Sequence, residues 1–175
     1  MNIGTGNNKG ITLVEVLVVA SVIGILAVAL GFQYYGWQAG YQIESQTKDL
    51  YTDIMNARTL AMTRSRMHYI VIYVDDTYQI FEDINDSLTY DPADTPIAGF
   101  TTAKTSKYQL NITGSGIIGF DTKGLSDSVT ATTINVVIPA PAAGFLAIEP
   151  DYDCVMVSQS RVNIGQMSGG SCVRK

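Results

Sequence analysis

The sequence predicts an α+β protein in which one long N-terminal helix is followed by a domain built on an antiparallel β-sheet. Three features support this fold class. Residues 11–32 are apolar apart from a single charged side chain, Glu15. Apolar residues recur at helical spacing between residues 50 and 61, and β-rich runs separated by turn residues follow residue 68. A chain of 175 residues is long enough for one modest core.

The apolar run from Ile11 to Phe32 predicts a membrane-spanning helix. At a rise of about 1.5 Å per residue it would be roughly 33 Å long, which matches the hydrocarbon thickness of a bilayer. A secretory signal peptide usually has a shorter apolar region that ends in small residues before a cleavage site, and no such pattern follows this run. We therefore expect the run to remain in the mature protein.

The short segment before the run sets the expected orientation. Lys9 is the only charged residue among residues 1–10, and a base beside the span favours an N-terminus on the cytoplasmic side. The chain after the span would then be extracytoplasmic, where a disulfide between Cys154 and Cys172 is expected. In a reducing compartment the two cysteines would instead be free thiols.

Glu15 needs a partner or water, because a lone carboxylate in a helix entering hydrocarbon costs several kcal/mol. Cleavage of the chain after Gly10 would place a new amine on Ile11, one helical turn from Glu15. An ammonium and a carboxylate at that separation offset each other's desolvation, within one chain or between neighbours. Alternatively, Glu15 lies at the level of the lipid headgroups and has no special role. The residues alone leave both interpretations open.

The stretch "KGITLVEVLVVASVIGILAVAL" at residues 9–30 resembles the leader end and N-terminal helix of type IV pilins and type II secretion pseudopilins. The resemblance implies that residues 1–10 are a class III leader and that prepilin peptidase cuts between Gly10 and Ile11. It also implies that the new amine of Ile11 is methylated and that Glu15 pairs with the amine of an adjacent subunit during assembly.

Two positions depart from the pattern of this family. Ile11 stands where the first mature residue is usually Phe or Met, and Phe32 stands where major pilins often carry a helix-kinking proline. The second departure favours a minor subunit over a major one.

The helix is expected to continue beyond the membrane as an amphipathic segment over residues 33–68. Leu50, Ile54, Ala57 and Ala61 are spaced by four, three and four residues, which places them on one face. No proline occurs before Pro92, so none interrupts this segment.

Residues 69–175 are expected to form the β-rich globular domain. The runs "HYIVIYV" and "YQIFEDI" on either side of "DDT" predict a hairpin. Further strands are predicted at residues 107–112, 117–121, 132–138, 144–148, 154–158 and 161–165.

Two segments of this second part resemble GspH/FimT-type minor pseudopilins. They are "NARTLAMTRSRMHYIVIYVDD", with Arg58 at the basic position of the motif, and "VMVSQSRVNIG", with Arg161 before the last strand. The resemblance implies a minor pilin or pseudopilin that crosses the bacterial inner membrane once and carries its C-terminal domain in the periplasm. Its partners would be other subunits, prepilin peptidase and the inner-membrane assembly platform, in either a type IV pilus or a type II secretion pseudopilus.

The charge distribution argues against nucleic acid as the partner. The net charge is −5, and residues 69–94 contain seven acidic residues and no basic one, whereas phosphate binding needs clustered Lys and Arg. An adhesive or DNA-binding minor pilin of the FimT type is the alternative. It would use the basic side chains of Arg58, Arg64, Arg66, Arg174 and Lys175, which otherwise form salt bridges to the acidic domain or to a partner subunit.

No enzymatic activity and no cofactor are expected. His68 is the single histidine, at the change from helix to strand, and we expect it to cap an element or lie at the surface. Serine and aspartate are common, but the sequence offers no base that would complete a catalytic triad with them. An enzyme that is anchored in the membrane by its signal sequence is the remaining alternative. The loop that contains Asp83, Asn85, Asp86, Asp91 and Asp94 does not have EF-hand spacing, so a solvated acidic loop is favoured over a calcium site.

Overall fold

The computed structural model describes residues 10–127, 131–137 and 149–175, and within them the side chains outside residues 29–36. In this part of the chain one helix precedes ten strands. The helix is α1 (Leu13–Arg64), and the strands are β1 (His68–Ile72), β2 (Thr77–Glu82), β3 (Thr95–Pro96), β4 (Lys104–Thr105), β5 (Gln109–Thr113), β6 (Ile117–Phe120), β7 (Thr132–Val137), β8 (Cys154–Val157), β9 (Val162–Ser168) and β10 (Ser171–Arg174).

Helix α1 is continuous over 52 residues. It ends at Arg64, earlier than the predicted residue 68, because Ser65 adopts a left-handed conformation with φ of 52°. A single left-handed residue ends the helical hydrogen-bond pattern, and it is a common C-terminal signal. His68 then already pairs with β2 as the first residue of β1.

The C-terminal half of α1 packs on the β domain through the predicted apolar stripe. Leu50, Ile54, Ala57 and Ala61 are all buried, and Ile43 extends the same face towards the N-terminus. The amphipathic character of this half of the helix is therefore confirmed. The spacing places these side chains above the two sheets, where they form the centre of the core.

The strands form two antiparallel sheets. The first has the order β3-β2-β1-β6, with β4 also paired to β2, and the second has the order β10-β9-β8-β7-β5. The predicted hairpin is confirmed as β1 and β2, which pair from His68 opposite Glu82 to Ile72 opposite Tyr78. A long helix packed on antiparallel sheets is the predicted α+β fold.

Both sheets direct branched apolar side chains towards α1. Ile70, Ile80 and Ile118 come from the first sheet, and Ile134 and Val155 come from the second; all five are completely buried. Burial of an aliphatic side chain of this size contributes about 1.5–3 kcal/mol. The core therefore fixes how the helix sits on the sheets.

Several strand predictions differ from the structure. The short strands β3 and β4 were not predicted, and the predicted strand at 144–148 lies outside the described residues. Strand β10 was also missed. It is joined to β9 by Gly169 and Gly170, both with positive φ (58° and 83°), and a two-glycine hairpin turn is a recognisable sequence signal.

A disulfide joins Cys154 in β8 to Cys172 in β10. The two sulfur atoms are 2.06 Å apart and the two Cα atoms are 6.0 Å apart. Because β9 lies between these strands in the sheet, the bond ties the edge strand to a buried one. The cysteines are 18 residues apart in the sequence.

We expect the double substitution Cys154→Ala and Cys172→Ala to lower the free energy of unfolding by about 3 kcal/mol, since a closed loop of this length restricts the unfolded chain by about that amount. Urea denaturation of the detergent-solubilised protein measures the change. The wild-type protein in reducing agent is the matched control and should lose the same stability. Equal midpoints for oxidised and reduced wild-type protein would contradict the prediction.

Candidate functional site

The first turn of α1 contains the residues that the sequence singles out. Thr12 caps the helix, and its Oγ1 accepts a hydrogen bond from the backbone N–H of Glu15 at 3.2 Å. Glu15 thus lies in the first turn, where the helix dipole favours a negative charge. Gly10 and Ile11 precede the helix, and both are exposed.

Ile11 and Glu15 lie on the same side of α1. Together with Val19 and Ile23 they line a shallow groove of about 360 Å³ along the helix. The carboxylate of Glu15 is the only ionisable side chain in this lining. An apolar groove with one carboxylate at its end can receive an apolar partner that carries a single positive charge.

The N-terminal part of α1 exposes large apolar side chains on every side. Each of the following is 51–79% exposed: Ile11, Leu13, Val14, Val16, Leu17, Val18, Val19, Val22, Ile23, Ile25, Leu26 and Val28. A helix that is apolar all round needs an apolar environment from outside its own chain. We call residues 11–28 the exposed apolar segment.

Within the exposed apolar segment, Gly24 is not required by side-chain contacts inside the described part of the chain. A Cβ added at Gly24 would meet no atom within 4 Å. Ser21 donates its hydroxyl to the carbonyl oxygen of Leu17 at 2.8 Å, so this polar group is satisfied by the helix itself.

No helix among the residues searched is long and apolar enough to cross a membrane.

The arginines near the end of α1 contact the β domain of their own chain. Arg58 donates to the carbonyl oxygen of Ser160 at 3.0 Å, and Arg64 forms an ion pair with Glu82. The guanidinium of Arg66 donates to two backbone carbonyl oxygens just after β2, each at 3.2 Å. These contacts hold the C-terminal end of α1 on the β domain. They correspond to the alternative in which the basic side chains pair with the acidic domain and not with nucleic acid.

The carboxylates of the acidic loop accept hydrogen bonds from the loop's own backbone. Asp83 accepts two N–H bonds, at 3.2 and 2.9 Å, and Asp91 accepts one at 2.7 Å. Asp94 accepts the N–H of Asp91, whereas Asp86 is exposed with φ of 56°. Among the described residues, no three potential metal-ligating side chains converge. The candidate calcium ligands therefore shape the loop instead of gathering around one point.

The surface position expected as one alternative for His68 was wrong, because its side chain is completely buried. It begins β1, whose five residues are all buried. The ring Nδ1 lies 3.0 Å from the carbonyl oxygen of Arg66, so Nδ1 carries the proton and donates. The other ring nitrogen, Nε2, has no hydrogen-bond partner in the described part of the chain and lies 3.9 Å from a carboxylate oxygen of Glu82.

Burial lowers the pKa of His68 below its usual value near 6.5, and this outweighs the opposing effects of the Arg66 carbonyl and the Glu82 carboxylate. The unfolded chain therefore binds a proton at a pH where the folded protein does not. We expect the free energy of unfolding to fall as the pH drops below about 6.5, by at most about 1.4 kcal/mol per pH unit.

The measurement is chemical denaturation between pH 5 and 8. The variant His68→Asn keeps a donor near the position of Nδ1 and cannot be protonated, so it serves as the control for all other titrating groups. Its pH dependence should be shallower than that of the wild-type protein. Parallel curves for the two proteins would show that His68 does not contribute.

Comparisons with known proteins concern the N-terminal segment and the fold. Residues 5–31 match the prokaryotic N-terminal methylation motif. No curated protein sequence matches the chain. Among solved structures, the minor pseudopilin EpsH from the type 2 secretion system of Vibrio cholerae has a TM-score of 0.52 at 14% identity. The match covers 71% of this chain and 97% of the EpsH chain, and at this identity it concerns the fold.

The methylation motif at the start of the long helix, and a fold similar to that of a minor pseudopilin, agree with the resemblance to pilins and pseudopilins described from the sequence. The resemblance stated from the sequence is therefore confirmed. Gly10, Ile11 and Glu15 all lie within the matched residues.

Proposed function

We propose that this protein is a minor pilin or pseudopilin subunit that is cleaved after Gly10, methylated on the amine of Ile11 and assembled through α1. The fibre would be a type IV pilus or a type II secretion pseudopilus. The exposed apolar segment supports this proposal most strongly. The large apolar side chains of this segment are exposed, and its only acidic residue, Glu15, lies one turn from residue 11.

Cleavage after Gly10 converts the amide nitrogen of Ile11 into an ammonium group. Ile11 and Glu15 border one groove, so the ammonium of a neighbouring helix can approach this carboxylate along the same apolar surface. At about 4 Å such a pair attracts by about 4 kcal/mol when the effective dielectric constant is near 20. Apolar packing would supply the area of contact, and the ion pair would fix the axial register of adjacent subunits.

Small side chains in the exposed apolar segment support close packing of helices. Ala20 lies in the groove beside Glu15, and Gly24 has open space around it. Small residues allow helix backbones to approach closely in apolar surroundings. Any requirement for glycine at position 24 would therefore come from a neighbouring subunit.

Before assembly, we propose that residues 11–32 hold the subunit in the inner membrane as a single span, with residues 69–175 in the periplasm. Lys9 on the cytoplasmic flank and the disulfide between Cys154 and Cys172 support this orientation, because disulfides persist in oxidising compartments. The β domain would present the surface that selects neighbouring subunits or cargo. The role is structural, without a chemical reaction of its own.

Intact-mass measurement of protein extracted from membranes tests the processing. With prepilin peptidase present, we expect the mass to decrease by that of residues 1–10 and to increase by about 14 Da for one methyl group. Without the peptidase, the full-length mass should remain. A native protein that still begins at Met1 would overturn the proposal, whereas loss of residues 1–10 without the added methyl would overturn only the methylation.

A further inference from the structure

The outer face of the first sheet carries an open cleft that the assembly helix does not use. Its volume is about 370 Å³, and its lining includes Tyr69 from β1, Leu88 and Tyr90 from the acidic loop, Ile117 from β6, and Asp127. We call it the Tyr69–Tyr90 cleft. It lies on the side of the sheet opposite the core, because Tyr69 alternates along β1 with the core residue Ile70.

Two aromatic rings form one side of the cleft. The ring of Tyr90 lies edge-on to that of Tyr69, with 6.2 Å between the centroids, and it also packs against Phe81 at 5.0 Å. These contacts hold the acidic loop over the sheet. The faces of phenol rings are electron-rich, and they attract cations within about 6 Å.

A carboxylate is held beside these rings. Asp127 Oδ1 accepts the backbone N–H of Gly119 at 2.9 Å, while Oδ2 accepts no hydrogen bond from the described residues. A Cβ at Gly119 would lie 2.6 Å from Asp127 Oδ2 and 2.9 Å from the ring of Tyr69. Glycine inside a strand usually marks a close approach of another group, and here it lets the carboxylate and the ring meet over the same backbone position.

The surroundings of the cleft are negatively charged. None of its lining residues is basic. Burial raises the pKa of Tyr69, and the nearby carboxylates of Asp83, Asp94 and Asp127 raise it further. A cation entering the cleft would therefore meet a negative potential, the ring of Tyr90 and the exposed side chain of Asp127, whose Oδ2 accepts no hydrogen bond from the residues that the structure describes.

We propose that the Tyr69–Tyr90 cleft binds a basic side chain, lysine or arginine, of a partner protein. The aliphatic stem would pack against Leu88 and Ile117, which are both exposed, and the charged end would reach Asp127 and the half-buried ring of Tyr90. The occupant follows from charge complementarity, since a long side chain with one positive end matches an apolar wall that ends in a carboxylate. The proposal concerns the β domain and does not depend on how α1 assembles.

The test uses the full-length protein in detergent with ¹³C-labelled tyrosine rings and short capped peptides. The probes are acetyl-Gly-Lys-Gly-amide, its arginine counterpart, and a norleucine peptide that keeps the stem without the charge. We expect the lysine or arginine peptide to shift the ring signals of Tyr69 and Tyr90, and its affinity to fall as salt is raised. The norleucine peptide should bind at least fivefold more weakly.

Substitution at the carboxylate provides the second arm. Asp127→Asn keeps the acceptor for the Gly119 N–H and removes the charge, so it should weaken the basic peptide at least fivefold. Asp121→Asn is the matched control, because Asp121 also accepts backbone N–H bonds in the same region but does not line the cleft. Equal binding of the norleucine peptide, no effect of Asp127→Asn, ring shifts produced equally by ammonium chloride, or no shifts with any peptide would overturn the proposal.

Discussion

Replacing Glu15 by valine is expected to reduce the amount of this subunit in assembled fibres at least a hundredfold. The proposed ion pair joins Glu15 of one subunit to the amine of Ile11 in another, inside an apolar contact between helices. Removing one member of a buried ion pair costs about 3–5 kcal/mol, because the other charge is left unpaired. Each 1.4 kcal/mol corresponds to a factor of ten, so a loss of about two to three and a half orders of magnitude follows.

Immunoblots of sheared fibres and of whole membranes measure this effect. The control is Val14→Leu, which changes an adjacent exposed apolar residue outside the groove and leaves the carboxylate in place. Total protein and cleavage after Gly10 should be the same in both variants. If Glu15→Val enters fibres as well as Val14→Leu does, the carboxylate has no role in assembly, and the interpretation that Glu15 lies at the lipid headgroups without a special role would stand.

The second large effect is expected at the contact between α1 and the sheets. Ile54 is completely buried in the centre of the apolar stripe. Ile54→Ala should lower the free energy of unfolding by about 2–5 kcal/mol, from lost apolar burial and from the cavity left behind. Domains of this kind are stable by only about 5–15 kcal/mol, so the variant should also accumulate to a lower level in cells.

Asn56→Ala is the matched control for this prediction. Asn56 lies two residues further along the same helix and is exposed, so its replacement should change stability by less than about 0.5 kcal/mol. Thermal and urea denaturation of both variants measure the difference. Similar midpoints for the two variants would mean that the helix is not held to the domain by this stripe.

The features predicted correctly from the sequence are those with a regular period or a continuous composition. The helical structure of the apolar run, the stripe that contains Leu50 and Ile54, and the hairpin of β1 and β2 each follow from a local pattern that needs no tertiary information. The end of α1 was missed because Ser65 is not a residue that usually signals a left-handed conformation.

The remaining features depend on contacts between distant parts of the chain. A lone histidine between a helix and a strand does not indicate its own burial, and His68 is buried because β1 lies in the middle of its sheet. The Tyr69–Tyr90 cleft brings Asp127 next to residues far away in the sequence, so no spacing marks it. The acidic loop could have been interpreted further, because aspartates commonly accept N–H bonds from their own turns.

The unbroken course of α1 has a mechanical consequence. Its 52 residues form a rod about 78 Å long at 1.5 Å per residue. Since the C-terminal half is fixed in the core, the position of Glu15 and that of the β domain are linked by helical backbone, and a displacement of the base along the helix axis would move the domain in the same direction.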